Sequence, residues 1–311
     1  MWSEMQIIKG TKEFKLNNSI VTLGKFDGMH LGHKCLLDEV LRQKIPGDTA
    51  VLFTFDVSPY EILGGRKMTY ILDHHQKQEY CKNNGIDVLI EYPFDRETRD
   101  MEAVDFIENV IIGQLDAKKV IVGKDFSFGK NRSGNIELLK KMADSYDVIA
   151  KEKVMFQGEE ISSTYIRKCI SSGKIEKANA MLGRAFSYDG IVVKGKQIGR
   201  SIGIPTINII PKKDKMIPPF GVYMSDVVAE GEIYKGITNV GHNPTVSNDD
   251  SIKVETNLLE QSLNLYDKHV EVRLISFIRP EMRFANLTEL KMQIGKDIEN
   301  VKKRTKCSLT I

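Results

Sequence analysis

The chain has no apolar run approaching the ~18 residues that a membrane-crossing helix needs, so no membrane partner is expected. Its first nine residues carry Glu4 and lack the basic and apolar stretches of a secretory signal, which predicts a cytoplasmic protein. Cysteine is sparse. Cys35, Cys81, Cys169 and Cys307 lie far apart, in no CxxC or other metal-ligand spacing, and read as reduced thiols with no zinc site. Charge of one sign is not in surplus either. With 45 Lys and Arg against 42 Asp and Glu, the net charge of +3 is too small to drive sequence-independent binding to phosphate backbones, and no nucleic-acid partner is expected. The absence of a GxxxxGKS or GxxxxGKT loop argues against a P-loop nucleotidase. No GxSxG or Cys/His signature demands a covalent nucleophile. Fixed-period repeats and low-complexity tracts are also missing, which excludes solenoids and biased tails.

What is present is the composition of a globular protein, 41% apolar and 28% charged, in 311 residues, enough for two domains with a core each. From Ser19 to about Ala150, β-branched runs (Ile20 to Leu23, Ala50 to Phe53, Val88 to Ile90, Val120 to Val122) alternate with helix-like segments. That rhythm predicts a parallel sheet covered by helices, with Gly24 and Gly123 beyond two strand ends facing one cleft. Two helices are expected over Ser162 to Ser172 and Lys174 to Leu182, the second stopped by Gly183. After Ala185 short strands with glycine and proline punctuation predict a small closed antiparallel barrel. Leu287, Leu290, Ile294, Ile298 and Val301 then form one stripe of a terminal helix. The expected fold is therefore α/β followed by β: a Rossmann-like domain over 1–184, then a β-barrel with a C-terminal helix over 185–311.

The run Gly24-Lys25-Phe26-Asp27-Gly28-Met29-His30-Leu31-Gly32-His33 sits at the predicted turn from strand to helix. Residues three apart on a helix share a face, so both imidazoles can meet one ligand. Gly24 and Gly28 permit a tight turn, Gly32 leaves room beside the histidines, and the helix N-terminus offers unpaired N–H groups. Such a site suits attack on the α-phosphate of ATP, where charge builds on non-bridging oxygens and on departing pyrophosphate, and donors fixed in advance help. Later in the chain, Ser162, Ser163 and Thr164 read as a helix-opening cluster that, taken alone, is ordinary capping, and that with Arg167 as a planar fork beside it could hold ATP phosphates. Asp125 and Phe126 follow a strand end; for Phe126 and Phe128 core packing is an equal alternative to a site role.

Taken together, that run, Val122 to Gly129 (VGKDFSFG) and Ile161 to Arg167 (ISSTYIR) resemble the FMN adenylyltransferase module of bacterial bifunctional riboflavin kinase/FAD synthetase. Gly199 to Asn208 (GRSIGIPTIN) is similar to the riboflavin kinase loop of the same family, and Gly221-Val222-Tyr223, Asn239 to Thr245, Val254 to Leu259 and the Arg279, Glu281, Arg283, Phe284 tail extend the likeness from about Ser19 to Asp297. The resemblance implies a nucleotidyltransferase domain, then a riboflavin kinase barrel. At the first site, Gly24, Phe26, Asp27, Gly28, Gly32, Ser162, Ser163 and Thr164 would bind ATP, His30, His33 and Arg167 would act on its phosphates, and Asp125 and Phe126 would lie on the flavin side. In the barrel, Gly199, Gly203 and Pro205 would cover ATP, and Thr206 and Asn208, two apart in an extended run, would ligate Mg²⁺. Glu255 would act as base for the ribityl hydroxyl, with Arg279 and Arg283 on the flavin side. Riboflavin, FMN, FAD and ATP are the implied substrates and products.

Departures from the family pattern are local. Ser58 stands where bacterial members usually carry histidine, Ile204 for Phe, Asn257 for a frequent His and Asp267 for Gly. A one-activity member with its adenylylating site degraded, a non-catalytic flavin-binding barrel and another small-molecule nucleotidyltransferase remain as alternatives, and a homo-oligomer is left open.

Overall fold

A computed structural model of the chain describes residues 4–58, 61–62, 67–195, 199, 203–242, 252–259 and 263–308. Pro59, Arg200, Ser201, Ile202, Asn243, Pro244 and Thr245 of the motifs lie outside the described residues. The chain divides into two compact units, Met1–Ser163 and Thr164–Ile311.

The first unit is built on strands β1 (Gln6–Lys9), β2 (Ser19–Leu23), β3 (Thr49–Phe55), β4 (Val88–Tyr92), β5 (Ala117–Gly123) and β6 (Asp147–Lys151). They pair in the order β1-β4-β3-β2-β5-β6, every pair parallel. β2 and β4 are buried along their whole length, the signature of strands covered on both faces. On one face Ile20, Leu52 and Leu89 pack against Leu37 and Val40 of α1 (Leu31–Gln43) and Cys81 of α2 (His74–Asn83). On the other, Val21, Val51 and Ile90 meet Ile107, Val110 and Ile111 of a π-helix over Phe106–Gln114 and Leu139 of α3 (Ile136–Lys141). The order reverses around β2, with β3 on one side and β5 on the other, so the turns after β2 and β5 lie side by side at the switch point where such sheets bind ligands. A hairpin of β7 (Met155–Phe156) and β8 (Glu159–Glu160) turns through Gln157 and Gly158, both in the left-handed region as a two-residue type I′ turn requires.

Helix α4 (Ser163–Ser171) leads to α5 (Ile175–Leu182), which ends on Gly183 at φ 70°, the expected C-cap. From Thr164 onward these helices count with the second unit. There α5 packs on β9 (Phe186–Ile191) and β14 (His269–Pro280). With β10 (Thr206–Ile209), β11 (Gly221–Ala229), β12 (Glu232–His242) and β13 (Ile252–Leu258), these strands form an antiparallel sheet in the order β10-β13-β12-β11-β14-β9. Its two ends meet where Val193 N–H donates to Asn208 C=O at 2.8 Å, so one isolated bridge, rather than a ladder, brings the curled sheet round on itself. Phe186, Tyr188 and Tyr223 are fully buried side chains of this unit. α6 (Leu287–Ser308) lays Ile298 and Val301 against Val222, Met224 and Ile237, while Leu287 at its start is exposed.

Candidate active sites

The turn after β2 is held in an uncommon backbone shape. Phe26, Gly28 and Met29 have φ of 45°, 84° and 42°; glycine takes this region freely, but Phe26 and Met29 store about 1–3 kcal/mol each. Both of their side chains are completely buried, and that packing maintains the strain. Further anchors fix the turn. Thr54 Oγ1 donates to Lys25 C=O at 3.1 Å, Ile71 N–H donates to Asp27 Oδ1 at 3.0 Å, and Ser163 Oγ donates to Asp27 C=O at 2.7 Å.

The turn delivers His30 as the N-cap of α1 and His33 one turn in. Their rings stack at 3.7 Å and 15°, and His33 also leans on Phe26 at 5.0 Å. His33 N–H donates to His30 Nδ1 at 3.3 Å, which fixes the acceptor nitrogen and leaves the His30 proton on Nε2, a donor suited to a phosphate oxygen. A Cβ on Gly32 would sit 3.1 Å from the His30 ring, so the glycine gives the imidazole its room, as expected. Gly24 likewise lies under the Phe26 ring, 3.1 Å from where its Cβ would be. Phe26 itself is core, so any approach to ATP here is through its backbone.

Ser163 does not serve as a simple cap: its hydroxyl ties the start of α4 to Asp27. Ser162 is half-buried just before it, and Thr164 and half-buried Arg167 follow one and four residues later in the same helix. After β5, Phe126 N–H donates to Gly123 C=O at 3.0 Å and closes a turn. Phe128 is core, pinned to Gly134 by a two-way bridge, while Phe126 is half-buried and stacked on it at 5.5 Å. Asp125 is exposed and pairs with Lys153 at 3.2 Å. Ser58, in the place of a histidine, donates its backbone N–H to the Tyr70 hydroxyl at 3.2 Å, which in turn donates to Glu61 at 3.3 Å.

In the second unit the ladder register assembles the site. Asn208 pairs with Glu255 and Thr206 with Asn257 across β10 and β13, and Asn239 of β12 pairs with Glu255 from the other side. Directly paired residues, and residues two apart on a strand, share a face of the sheet. Thr206, Asn208, Asn239, Glu255 and Asn257 are therefore one constellation. Asn208 Oδ1 is buried and has no hydrogen-bond partner among the described residues, so a hard oxygen donor is available beside the Thr206 hydroxyl. That donor set fits a Mg²⁺ ion carrying ATP phosphates. A Cβ on Gly195 would come 2.6 Å from Asn208 Nδ2, which makes Gly195 a residue of this site that nothing in its sequence context marks. Asn257 Nδ2 donates to Pro205 C=O at 2.8 Å, and Ile204 N–H donates to Gly199 C=O at 2.7 Å, folding the loop before β10 with Gly203 at φ 79°. Asp267 is left-handed at φ 61°, the conformation glycine adopts without strain. Arg279 forms a fork–fork pair with buried Asp297 of α6, with Nη2 to Oδ2 at 2.8 Å, while Arg283 is exposed.

Glu91 and Lys77 carry no motif, yet both are buried charged residues in the same unit as the first site, and half-buried His74 lies against Glu91. Glu91 of β4 is fully buried, with Oε1 2.7 Å from His74 Nδ1 and Oε2 3.1 Å from Lys9 Nζ. Burial opposes its ionisation, but His74 and Lys9 win and hold the carboxyl below its ordinary range. Lys77 is 5% exposed; burial pushes its ammonium pKa down against the attraction of Glu91 and Asp27.

Known proteins resemble this chain along its whole length. The family model for FAD synthetase matches residues 12–165 and that for riboflavin kinase matches residues 182–305. The bifunctional riboflavin kinase/FMN adenylyltransferase of Buchnera aphidicola from Schizaphis graminum is 37% identical, over 96% of this chain and 98% of that protein. The proteins of the same name from Listeria monocytogenes and Escherichia coli K12 are 32% and 33% identical over 94% of the chain, covering 94% and 96% of their own lengths. A solved structure described as a macrolide-efflux protein from Streptococcus pneumoniae superposes with a TM-score of 0.84 at 28% identity, covering 96% of this chain and 98% of its own. No helix among the described residues is long and apolar enough to cross a membrane. The fold and sites define a nucleotidyltransferase joined to a kinase barrel. The chain belongs to the bifunctional riboflavin kinase/FMN adenylyltransferase family.

Proposed function

We propose that the chain is an enzyme that makes both flavin cofactors, phosphorylating riboflavin to FMN in its barrel and adenylylating FMN to FAD at the paired histidines, with ATP spent in each step. The observation that carries this reading is that each half brings its motif residues face to face, Glu255 opposite Asn208 and His30 on His33. The working domains are 1–184 and 185–311, and the cytoplasm, which supplies ATP, is their setting.

In the barrel, Glu255 takes the proton of the ribityl hydroxyl as that oxygen attacks the γ-phosphorus of ATP, and ADP leaves. Thr206 and Asn208 would hold Mg²⁺, which when bound neutralises phosphate charge. Gly199, Gly203 and Pro205 shape the loop over ATP, and Arg279 and Arg283 border the flavin; for Arg279 this role is shared with anchoring α6. In the first unit the FMN phosphate attacks the α-phosphorus of ATP and pyrophosphate departs. The His30 Nε2 proton and His33 meet the charge that develops on the non-bridging oxygens, where donors fixed in advance are worth about 10²–10³-fold in rate. Gly24, Phe26, Asp27, Gly28 and Gly32 form the turn around the phosphates. Ser162, Ser163, Thr164 and Arg167 hold the departing pyrophosphate, and Asp125 and Phe126 border the flavin.

The test is chromatography of products after mixing the protein with riboflavin, ATP and Mg²⁺. FMN should appear first and FAD with pyrophosphate after it. FMN alone would mean that the half carrying Ser58 is spent, and neither product would refute the reading.

A further inference from the structure

One face of the barrel sheet carries a continuous row of residues on either side of Glu255. Ladder pairs join Asn208 to Glu255, Glu255 to Asn239, Asn239 to Val222 and Val222 to Arg279, across β10, β13, β12, β11 and β14 in turn. Directly paired residues share a face, so Glu255 stands between Thr206 and Asn208 on β10 and Asn239 on β12. With Mg²⁺ and the ATP phosphates on the β10 side, the β12 side is left for the acceptor. Gly241 lies there, two residues beyond Asn239 and on the same face. Its missing side chain is replaced by another one. A Cβ on Gly241 would fall onto Oε1 of Glu281, the residue just past β14, and would lie 2.9 Å from its Cδ and 3.4 Å from Asn239 Nδ2. Gly221 of β11 is bare along the same approach, since a Cβ there would come 3.0 Å from Pro280 Cα. The backbone of Gly241 is not left-handed, so what demands glycine inside this strand is the close approach of the carboxylate. Glu281 is exposed to solvent, and its carboxylate makes no hydrogen bond or ion pair with another described residue. A carboxylate and a half-buried amide thus converge about 7–8 Å from Glu255, along the diagonal of the ladder.

We propose that Glu281 is a specificity-determining residue of the kinase site: its carboxylate, seated over Gly241 beside Asn239, accepts hydrogen bonds from the ribityl hydroxyls and holds the terminal one at Glu255. The assignment rests on the reading of the barrel as a riboflavin kinase. Its chemistry suits a polyol. The ribityl chain carries a hydroxyl on each carbon beyond the first, so with its end at Glu255 the inner hydroxyls pass a group one diagonal away. An ionised carboxylate accepts from two hydroxyls at once, and more strongly than a neutral oxygen does. Glu281 takes no proton in the reaction; that role stays with Glu255.

The experiment measures FMN formation against riboflavin concentration for the full chain and for Glu281→Ala, Gly241→Ala and the two together, with FAD formation from added FMN as the reference for each sample. Glu281→Ala should raise KM for riboflavin about 10–100-fold, as loss of hydrogen bonds to a charged group does, and change kcat by less than about threefold. Glu281→Gln keeps an acceptor without the charge and should fall between. Inhibition by lumiflavin, which has the ring without the chain, should be equal for wild type and Glu281→Ala. Gly241→Ala puts a methyl where the carboxylate sits, so it should raise KM by itself but add less than about twofold to Glu281→Ala. An unchanged KM in Glu281→Ala, lumiflavin inhibition that weakens in step with riboflavin, or a Gly241→Ala loss that persists in full beside Glu281→Ala would each overturn the proposal. So would a raised Mg²⁺ requirement in Glu281→Ala, which would make Glu281 a metal ligand. If Gly241→Ala does not fold, the two Glu281 variants decide alone. Wild-type protein that forms no FMN would refute the kinase reading itself, whereas an active wild type matched by Glu281→Ala at every riboflavin concentration would refute only the role of Glu281.

Discussion

The turn that carries His30 and His33 is held in left-handed backbone at Phe26 and Met29, whereas Asn208 and Glu255 sit opposite each other in a regular antiparallel ladder. Under the proposed reading, both arrangements prepare a place for phosphate. In the first unit the preparation comes from the burial of the motif's own Phe26 and Met29 and, from outside the motif, from the Thr54, Ile71 and Ser163 hydrogen bonds. In the second it comes from register, which presents Thr206, Asn208 and Glu255 on one face with little strain. A site supported from outside is exposed to substitutions far from its ligand. A site built into a ladder should respond mainly to changes in its own side chains.

The largest expected effects separate the halves. Glu255→Gln should cut FMN formation about 10²–10⁴-fold, as loss of a general base does, while added FMN still becomes FAD; His30→Ala should do the reverse and stop the reaction at FMN. Stopped assays resolved by chromatography read both. A smaller effect is expected at Asn208→Ala, with the kinase losing roughly 10–100-fold and needing more Mg²⁺ for half-maximal rate, since the buried Oδ1 is removed while Glu255 stays. An unchanged Mg²⁺ requirement would remove Asn208 from the ligand set.

Arg279→Leu sharpens the comparison from the stability side. Removing one partner of a largely buried fork–fork pair should cost about 2–4 kcal/mol, seen as a lower denaturation midpoint, because Asp297 is left uncompensated beside the sheet. If stability holds and only riboflavin affinity falls, Arg279 belongs to the flavin and not to α6. The smallest effect is acid sensitivity in the first unit. Burial opposes ionisation of Glu39, but hydrogen bonds from Arg42, Gln43 and Lys151 hold its carboxyl down to about 2. Its folded pKa is below its unfolded one, so its contribution is complete above the ordinary glutamate range and fades as pH falls toward about 2. Melting curves of Glu39→Gln and wild type should differ most at neutral pH, draw together as pH falls below the ordinary glutamate range, and converge only near pH 2.

Much of this layout is visible in the chain itself. β2, β3, β4 and β5 carry uninterrupted β-branched and apolar runs because helices cover both faces, and the histidine turn is marked by its glycines. Strands β1 and β6 are edges with few buried side chains, so their apolar stretches, Ile7-Ile8 and Val148 to Ala150, are short and flanked by polar residues and announce a strand only weakly. The same holds for Lys77 in HHQKQEYC and Glu91 in VLIEY, where charged letters read as solvent-facing until α2 and β4 are brought together. Ion pairs between elements have no period. The role of Gly195 is hidden for a similar reason, since only the bridge between Val193 and Asn208 brings it against the Asn208 amide.

The central claim is that one chain carries two separate and sequential sites. Neither His30→Ala nor Glu255→Gln should form FAD from riboflavin on its own. An equimolar mixture of the two, given riboflavin, ATP and Mg²⁺, should form it, as FMN released by the first is adenylylated by the second. FAD from either variant alone as fast as from the mixture, or none from the mixture while each keeps its remaining step, would contradict the account.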